Sequence, residues 1–112
     1  MQTATLPEPL KAKRGEQYDE VFAFYDEDDN PVDVSAWIPS LELRERKDSS
    51  AAAATATCTV QNTNEVRVVI SSAATNLLKA REYETDLRCE ISGEVQYPFE
   101  GKFVIEEAIT RA

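Results

Sequence analysis

The residues best placed to do chemistry are the carboxylates and the amide of an acidic turn, residues 26–30. Asp26, Asp28 and Asn30 have the spacing of positions 1, 3 and 5 of a calcium loop, which would gather oxygen ligands for a hard cation. Pro31, however, stands where such a loop requires glycine, and the twelfth position carries no carboxylate. Because acidic residues are common turn formers, the pattern predicts a solvated β-turn and no metal site.

Other catalytic patterns are missing from the sequence. The chain has no histidine, which removes the commonest general base, the histidine-activated nucleophiles and imidazole metal ligands. Its three glycines do not form a GxGxxG or phosphate-binding motif. We therefore expect no catalytic residue, no cofactor and no bound metal, and we do not expect an enzyme.

The two cysteines, Cys58 and Cys89, lack the CxxC spacing of zinc and redox motifs. Each alternates with apolar neighbours in a strand-like run, which predicts that both face the core as free thiols. An inter-sheet disulfide in a β-sandwich is the alternative.

The elements that must position these residues are strands. The stretch from Tyr18 to Leu43 alternates with a period of two on both sides of the acidic turn, which predicts two strands joined by a tight connection. Similar runs predict strands over residues 17–25, 37–45, 55–61, 65–70 and 83–91, with a helical turn over residues 73–78. The final strands place Val95, Tyr97, Phe99, Gly101, Phe103 and Ile105 on one parity. About seven strands at this spacing predict an all-β fold, a single antiparallel β-sandwich of the Ig-like or a related type.

Prolines divide the chain and mark its sheet edges. Pro7 and Pro9 predict that residues 1–13 form an extended arm, with residues 14–112 as the sandwich domain. Pro39 and Pro98 lie within predicted strands, where each indicates an edge or a bulge. A small basic cluster, Lys11, Lys13 and Arg14, is either a solvated linker or a docking contact for an acidic protein surface.

The charge excludes several classes of partner. Twelve basic and 21 acidic residues give a formal charge of −9, which disfavours nucleic acids and anionic membranes. No apolar run approaches the roughly 20 residues of a membrane span, and the first residues lack an apolar signal core. We expect a protein partner.

Four segments, taken in order, resemble a known family. A leading Arg-Gly-Glu is followed by DEDDNPVDVSAW, which resembles the turn D-x-x-G-x-P-V-D-L-[ST]-G of small phage domains. ISSAATNLL, AREYETDL and FEGKFVIEEAIT resemble L-[ST]-x-x-x-[ST]-x-x-L, G-x-Y-x-[YWF]-D-[LI] and G-x-[FVI]-x-[VI]-x-x-x-[VI]-T. Together they resemble the N-terminal β-sandwich of phage upper-baseplate and tail-fibre attachment proteins, and short stand-alone virion proteins. The resemblance covers residues 14–110, and Asp29 stands where the turn pattern has glycine.

The resemblance implies a virion structural protein, made in the host cytoplasm, that docks tail, baseplate or fibre-attachment components. It implies other virion proteins as partners, and several copies in a symmetric assembly. A carbohydrate-binding module and a capsid decoration protein are the alternatives. The residues that we expect at an interface are Pro7, Pro9, Lys11, Lys13, Arg14, Tyr97 and Phe99.

Overall fold

The computed structural model describes residues 10–109, which fold into eight strands and one short helix. No helix in this range is long and apolar enough to cross a bilayer. The elements are β1 (Leu10–Lys13), β2 (Tyr18–Ala23), β3 (Ile38–Arg44), β4 (Ala54–Thr55), β5 (Thr57–Gln61), β6 (Glu65–Ile70), α1 (Ser72–Asn76), β7 (Arg81–Ile91) and β8 (Glu94–Glu106).

The strands form two sheets that pack face to face. The five-stranded sheet has the order β1-β8-β7-β3-β4, and the three-stranded sheet has the order β2-β6-β5. Every pair is antiparallel except β1 and β8, which run parallel. The chain changes sheets at Ala56, whose N–H donates to the carbonyl of Leu41 in β3 at 2.9 Å. The predicted all-β sandwich is confirmed, with one parallel pair that the sequence did not indicate.

Strand β1 corrects the predicted arm, because residues 10–13 belong to the sandwich. Leu10 pairs with Phe103 of β8, and Leu10 and Ala12 are buried in the core. The alternation of these two apolar residues with Lys11 and Lys13 is the pattern of a half-buried strand. Removing residues 2–13 would therefore expose part of the core. The rest of the expected arm, residues 1–9, lies outside the described residues.

The long hairpin of β7 and β8 forms the centre of the five-stranded sheet. Ser92 and Gly93, which connect the two strands, have φ angles of 52° and 83°. Positive φ at both central positions defines the two-residue turn that matches the twist of antiparallel strands. The predicted short turn at Ser92-Gly93 is confirmed.

A β-bulge interrupts this hairpin at Tyr97 and Pro98. Leu87 pairs with Phe99 and Cys89 pairs with Gln96, so two residues of β8 lie opposite one residue of β7. An extra residue in a strand reverses the faces of the side chains that precede it. The predicted single parity of β8 is therefore wrong. Phe99, Phe103 and Ile105 point into the core, whereas Val95 and Tyr97 are 43% and 54% exposed.

Edge-to-face aromatic pairs connect the two sheets. Tyr18 and Phe22 of β2 pack on Phe103 and Phe99 of β8, with ring centroids 4.8 and 5.6 Å apart. A third pair, Phe24 and Trp37, lies 5.2 Å apart where the chain leaves β2 and approaches β3. Such pairs add about 0.5–1.5 kcal/mol each beyond the burial of their area.

Helix α1 is tied to the turn after β1. Ser71 caps the helix by accepting the N–H of Ala74, as its position predicts. The buried Thr75 hydroxyl accepts the N–H of Gly15 at 3.1 Å and donates to the carbonyl of Glu16 at 2.8 Å. The helix therefore fixes the path of the chain between β1 and β2.

Both strand prolines lie where the sheet has an open side. Pro39 pairs with β7, while β4 reaches only Glu42 and Leu43 of the same strand. Pro98 lies in the bulge, and β1 pairs with β8 only from Phe103 onward. Within residues 10–109, each proline therefore stands on a local edge, and Pro98 also lies in a bulge, as the sequence predicted.

Two buried tyrosines should respond oppositely to loss of their hydroxyls. The Tyr18 hydroxyl has no hydrogen-bond partner among the described residues, whereas Tyr83 donates to the Lys79 carbonyl at 2.9 Å and accepts its N–H at 3.0 Å. We expect Tyr18→Phe to leave the free energy of unfolding unchanged or raise it by up to about 1 kcal/mol, and Tyr83→Phe to lower it by roughly 1 kcal/mol. Urea unfolding of both variants measures this, and equal losses would contradict it.

Candidate functional site

The acidic turn forms as a hydrogen-bonded turn. One carboxylate oxygen of Asp26 accepts the backbone N–H of Asp28 at 2.9 Å and that of Asn30 at 3.0 Å. Tyr25 bridges to Pro31, which closes the turn. Asp29 adopts a φ of 61°, the left-handed conformation that favours glycine. Residues 10–109 contain no group of three or more acidic or cysteine side chains arranged to hold a metal ion.

The two cysteines are free thiols, as predicted. Cys89 is fully buried on β7, and Cys58 is partly buried on β5 and packs against the core. Burial raises the pKa of Cys58 to about 11, and burial together with the nearby Cys58 raises the pKa of Cys89 to about 12. Both groups are neutral near pH 7, so neither is an activated nucleophile.

The expected interface residues fall into four groups, the last of which is the basic cluster. Pro7 and Pro9 lie outside the described residues. Phe99 does not belong to a surface: it is 7% exposed and its ring packs edge-to-face on Phe22. Tyr97, in contrast, stands on the outer face of the five-stranded sheet. The bulge separates these two neighbours, which the sequence had placed on the same face.

The basic cluster lies on the opposite end of that sheet. Lys11 and Lys13 are exposed on β1, and Arg14 forms an exposed ion pair with Glu107 at 3.4 Å. Lys11 is in register with Val104, seven residues from Tyr97 along β8, or about 23 Å in an extended strand. The structure therefore does not bring the basic cluster and Tyr97 into one site.

The outer face between these ends contains a concave groove with a volume of about 500 Å³. Strands β3, β7 and β8 form its floor, and Lys47 from the loop after β3 closes one side. Because facing residues on neighbouring strands share a face of the sheet, Glu42, Asp86 and Glu100 form one row across it. The lining residues are Ser40, Glu42, Arg44, Lys47, Glu84, Thr85, Asp86, Arg88, Tyr97 and Glu100.

Most charges in the groove are neutralised within the sheet. Arg44 contacts Glu42 at 2.7 Å, Lys47 contacts Glu100 at 3.0 Å, and Lys102 contacts Glu84. The side chains of Asp86 and Arg88 have no ion pair or hydrogen bond among the described residues. Burial raises the pKa of Asp86, and the carboxylates of Glu100 and Glu42 raise it further, while the cations of Arg44 and Lys47 lower it by less. The ionised carboxylate of Asp86, at the centre of the groove, is therefore destabilised by its surroundings.

Exposed apolar side chains continue the groove toward the β7–β8 turn. Ile38 is in register with Glu90, which is in register with Val95, so all three lie in one row on the outer face. Ile38 is 63% exposed and Val95 is 43% exposed. Together with Tyr97 they form an apolar rim, the name we use for these three residues.

The sequence alone indicated only part of this site. The alternation of Glu84, Asp86, Arg88 and Glu90 placed these side chains on the solvent face of one strand. Their partners on β3 and β8 depend on strand order and register, which a single sequence does not encode locally. Of the apolar rim, Tyr97 was expected at an interface, whereas Val95 was placed on the same parity as Phe103 and Ile38 was not singled out.

The chain matches no protein-family model, and no curated protein matches it.

Asp86→Asn should stabilise the protein at neutral pH. A carboxyl whose pKa is raised in the folded state contributes its full stability below its unfolded pKa and loses it as the pH rises through the folded pKa. We expect the substitution to raise the free energy of unfolding by less than about 1 kcal/mol at pH 7. The gain should shrink toward zero in acid, when the wild-type carboxyl is protonated.

Asp19→Asn is the matched control, with the opposite sign. Two hydrogen bonds from Arg67, at 2.9 and 2.5 Å, lower the pKa of Asp19, so its contribution is present at neutral pH and lost in acid. This variant should be less stable than wild type at pH 7. Urea unfolding across the pH range measures both effects, and a loss of stability in Asp86→Asn at pH 7 would contradict our assignment.

The thiols should be unreactive until the protein unfolds. At about pH 8 the raised pKa values lower the thiolate fraction of each cysteine more than about a hundredfold relative to an exposed thiol. We expect negligible reaction with Ellman's reagent in the native state and two equivalents in guanidinium chloride. A denatured protein with no reactive thiol would instead contain a disulfide.

Proposed function

We propose that this chain is a bacteriophage virion structural protein, a docking module in the tail, baseplate or fibre-attachment assembly that acts through protein–protein contacts. The observation that carries the proposal is the outer face of the five-stranded sheet. Its apolar rim exposes Ile38, Val95 and Tyr97 beside a groove in which two charged side chains, Asp86 and Arg88, have no ion pair within residues 10–109. Exposed apolar side chains gathered beside polar groups are typical of protein-binding surfaces.

The positions that carry the family resemblance support the proposal, because they have structural roles. Gly15, from the leading Arg-Gly-Glu, has a φ of 86° and donates its N–H to Thr75, from the ISSAATNLL segment. Ser71 of that segment caps helix α1, and Leu78 is buried. Two motifs 60 residues apart in the sequence therefore meet at one hydrogen bond.

The acidic turn adds a second support. Asp29 occupies the position where the resembling turn pattern has glycine, and its φ of 61° is the conformation that favours glycine. Asp tolerates this conformation better than most residues. The backbone of the turn therefore suits the pattern even though the side chain departs from it.

The charge favours a protein as the partner. A formal charge of −9 opposes binding to nucleic acids and to anionic membranes, whereas a protein surface can supply complementary charges. A carbohydrate-binding module would need several exposed aromatic side chains on one face of a sheet. Among the described residues, Tyr97 is the single exposed aromatic side chain on this face.

The test is incorporation into particles. We expect virions produced from the genome that encodes this chain to contain it, as measured by mass spectrometry of purified particles. When variants are supplied to a genome lacking the gene, Tyr97→Ala should lower the incorporated copy number several-fold. Tyr25→Ala, which removes a 45% exposed tyrosine next to the acidic turn, is the control and should incorporate normally.

Two outcomes would contradict the proposal. Infectious particles of normal composition that lack the chain would exclude a structural role in the virion. Specific binding of the isolated protein on a glycan array, lost in Tyr97→Ala, would instead favour a carbohydrate-binding module.

A further inference from the structure

The geometry points to the chemistry of the partner: the groove receives an extended polypeptide segment of a different protein, which carries a basic and an acidic side chain two residues apart. The basic side chain would pair with Asp86 and the acidic one with Arg88. This inference deepens the proposed docking function and rests on it. In this inference, the side chains of Asp86 and Arg88 on β7 determine which partner binds.

Of the charged residues that line the groove, Asp86 and Arg88 are the two whose side chains have no ion pair among the described residues. Both are outward-facing residues of β7, separated by the inward Leu87. The other groove carboxylates have basic partners: Glu42 has Arg44, Glu100 has Lys47 and Glu84 has Lys102. Within residues 10–109, the groove therefore presents one free negative and one free positive charge, about 6.6 Å apart along an extended strand.

This spacing is the repeat of an extended segment. Side chains two residues apart in such a segment lie on one face and are also about 6.6 Å apart. A segment lying along β7 could therefore place a lysine or arginine over Asp86 and a carboxylate near Arg88 at the same time. A cation there would also relieve the cost of Asp86, whose neighbours Glu42 and Glu100 are negative.

The shape of the groove favours a segment over a second copy of the same face. Two copies of one concave surface would meet at their rims and leave a void between them, which loses packing contacts. A single extended segment can instead place side chains into the groove. Its apolar side chains would then contact the apolar rim, where Tyr97 and Val95 stand on one side and Ile38 on the other.

The prolines favour binding on the face and oppose binding at the edges. Addition of a strand to a sheet edge needs a row of free backbone N–H groups. Pro39 on β3 and Pro98 on β8 remove a donor from each local edge at this end of the sheet. A segment that docks here is therefore recognised through side chains, which makes Asp86 and Arg88 the determinants of specificity.

The test is a selection with the full chain as bait and random displayed peptides of about nine residues as the probe, long enough to span the groove. We expect the selected peptides to be enriched at least fivefold in a basic and an acidic residue two positions apart. Selection on Asp86→Asn should lose the basic preference and keep the acidic one. Selection on Arg88→Gln should do the reverse.

Asp28→Asn, the same substitution in the acidic turn, is the control and should give the wild-type preference. A selected peptide, once synthesised, should bind Asp86→Asn roughly tenfold more weakly than wild type by calorimetry. Peptides without a charge preference, a preference that survives both substitutions, or no selected peptide at all would overturn the inference. Self-association of the chain that disappears in Asp86→Asn would also overturn it, since the occupant would then be a second copy.

This experiment is independent of particle assembly. Charge-selective peptides with no trace of the chain in virions would uphold the groove chemistry and overturn the phage assignment. Incorporation into virions without charge-selective peptides would uphold the phage assignment and overturn the groove chemistry.

Discussion

The edge-to-face contacts that β2 makes with β8 determine how the two sheets face each other. Tyr18 meets Phe103, and four residues further along β2, Phe22 meets Phe99, four residues earlier in β8. The two strands therefore cross the interface in opposite directions, locked at two points about 13 Å apart along each strand. Because Phe99 and Phe103 point into the core, Glu100 and Lys102 between them point to the outer face. The bulge before Phe99 then determines which side chains of the preceding part of β8 join the outer surface.

The groove shows what this rigidity allows. Carboxylates in one row across neighbouring strands repel each other, and a flexible surface would let them separate. Here the register of β3, β7 and β8 holds Glu42, Asp86 and Glu100 side by side, and basic neighbours pair with the outer two. The middle carboxylate is left with unfavourable surroundings. A sheet held at its back by aromatic packing can retain such an arrangement at modest cost, because the outer charges are solvated and screened.

The sequence predicted the fold well where patterns are local and failed where they are not. Residues 65–70 were predicted as a strand and are β6, and the turn at Ser92-Gly93 follows from residue types that tolerate positive φ. The arm boundary was misplaced because the prolines at 7 and 9 outweighed the alternation from Leu10 to Lys13. The alternation predicted a single face for the apolar side chains of β8, because an extra residue leaves no mark in such a run. Pro98 was the one local sign of the bulge, and it could not reveal which side chains the bulge would turn outward.

The bulge also bears on how such a surface can change over evolutionary time. A single-residue insertion or deletion just before Phe99 would turn over the whole preceding part of β8 as a unit, since its side chains alternate between faces. Side chains could thus move from the core to the contact surface, and the reverse, without any substitution. An alignment of related chains that ignores a gap at residues 97–98 would assign Val95 and Tyr97 to the interior and overlook a binding surface. In this fold, the length of one strand carries information that amino-acid identity does not.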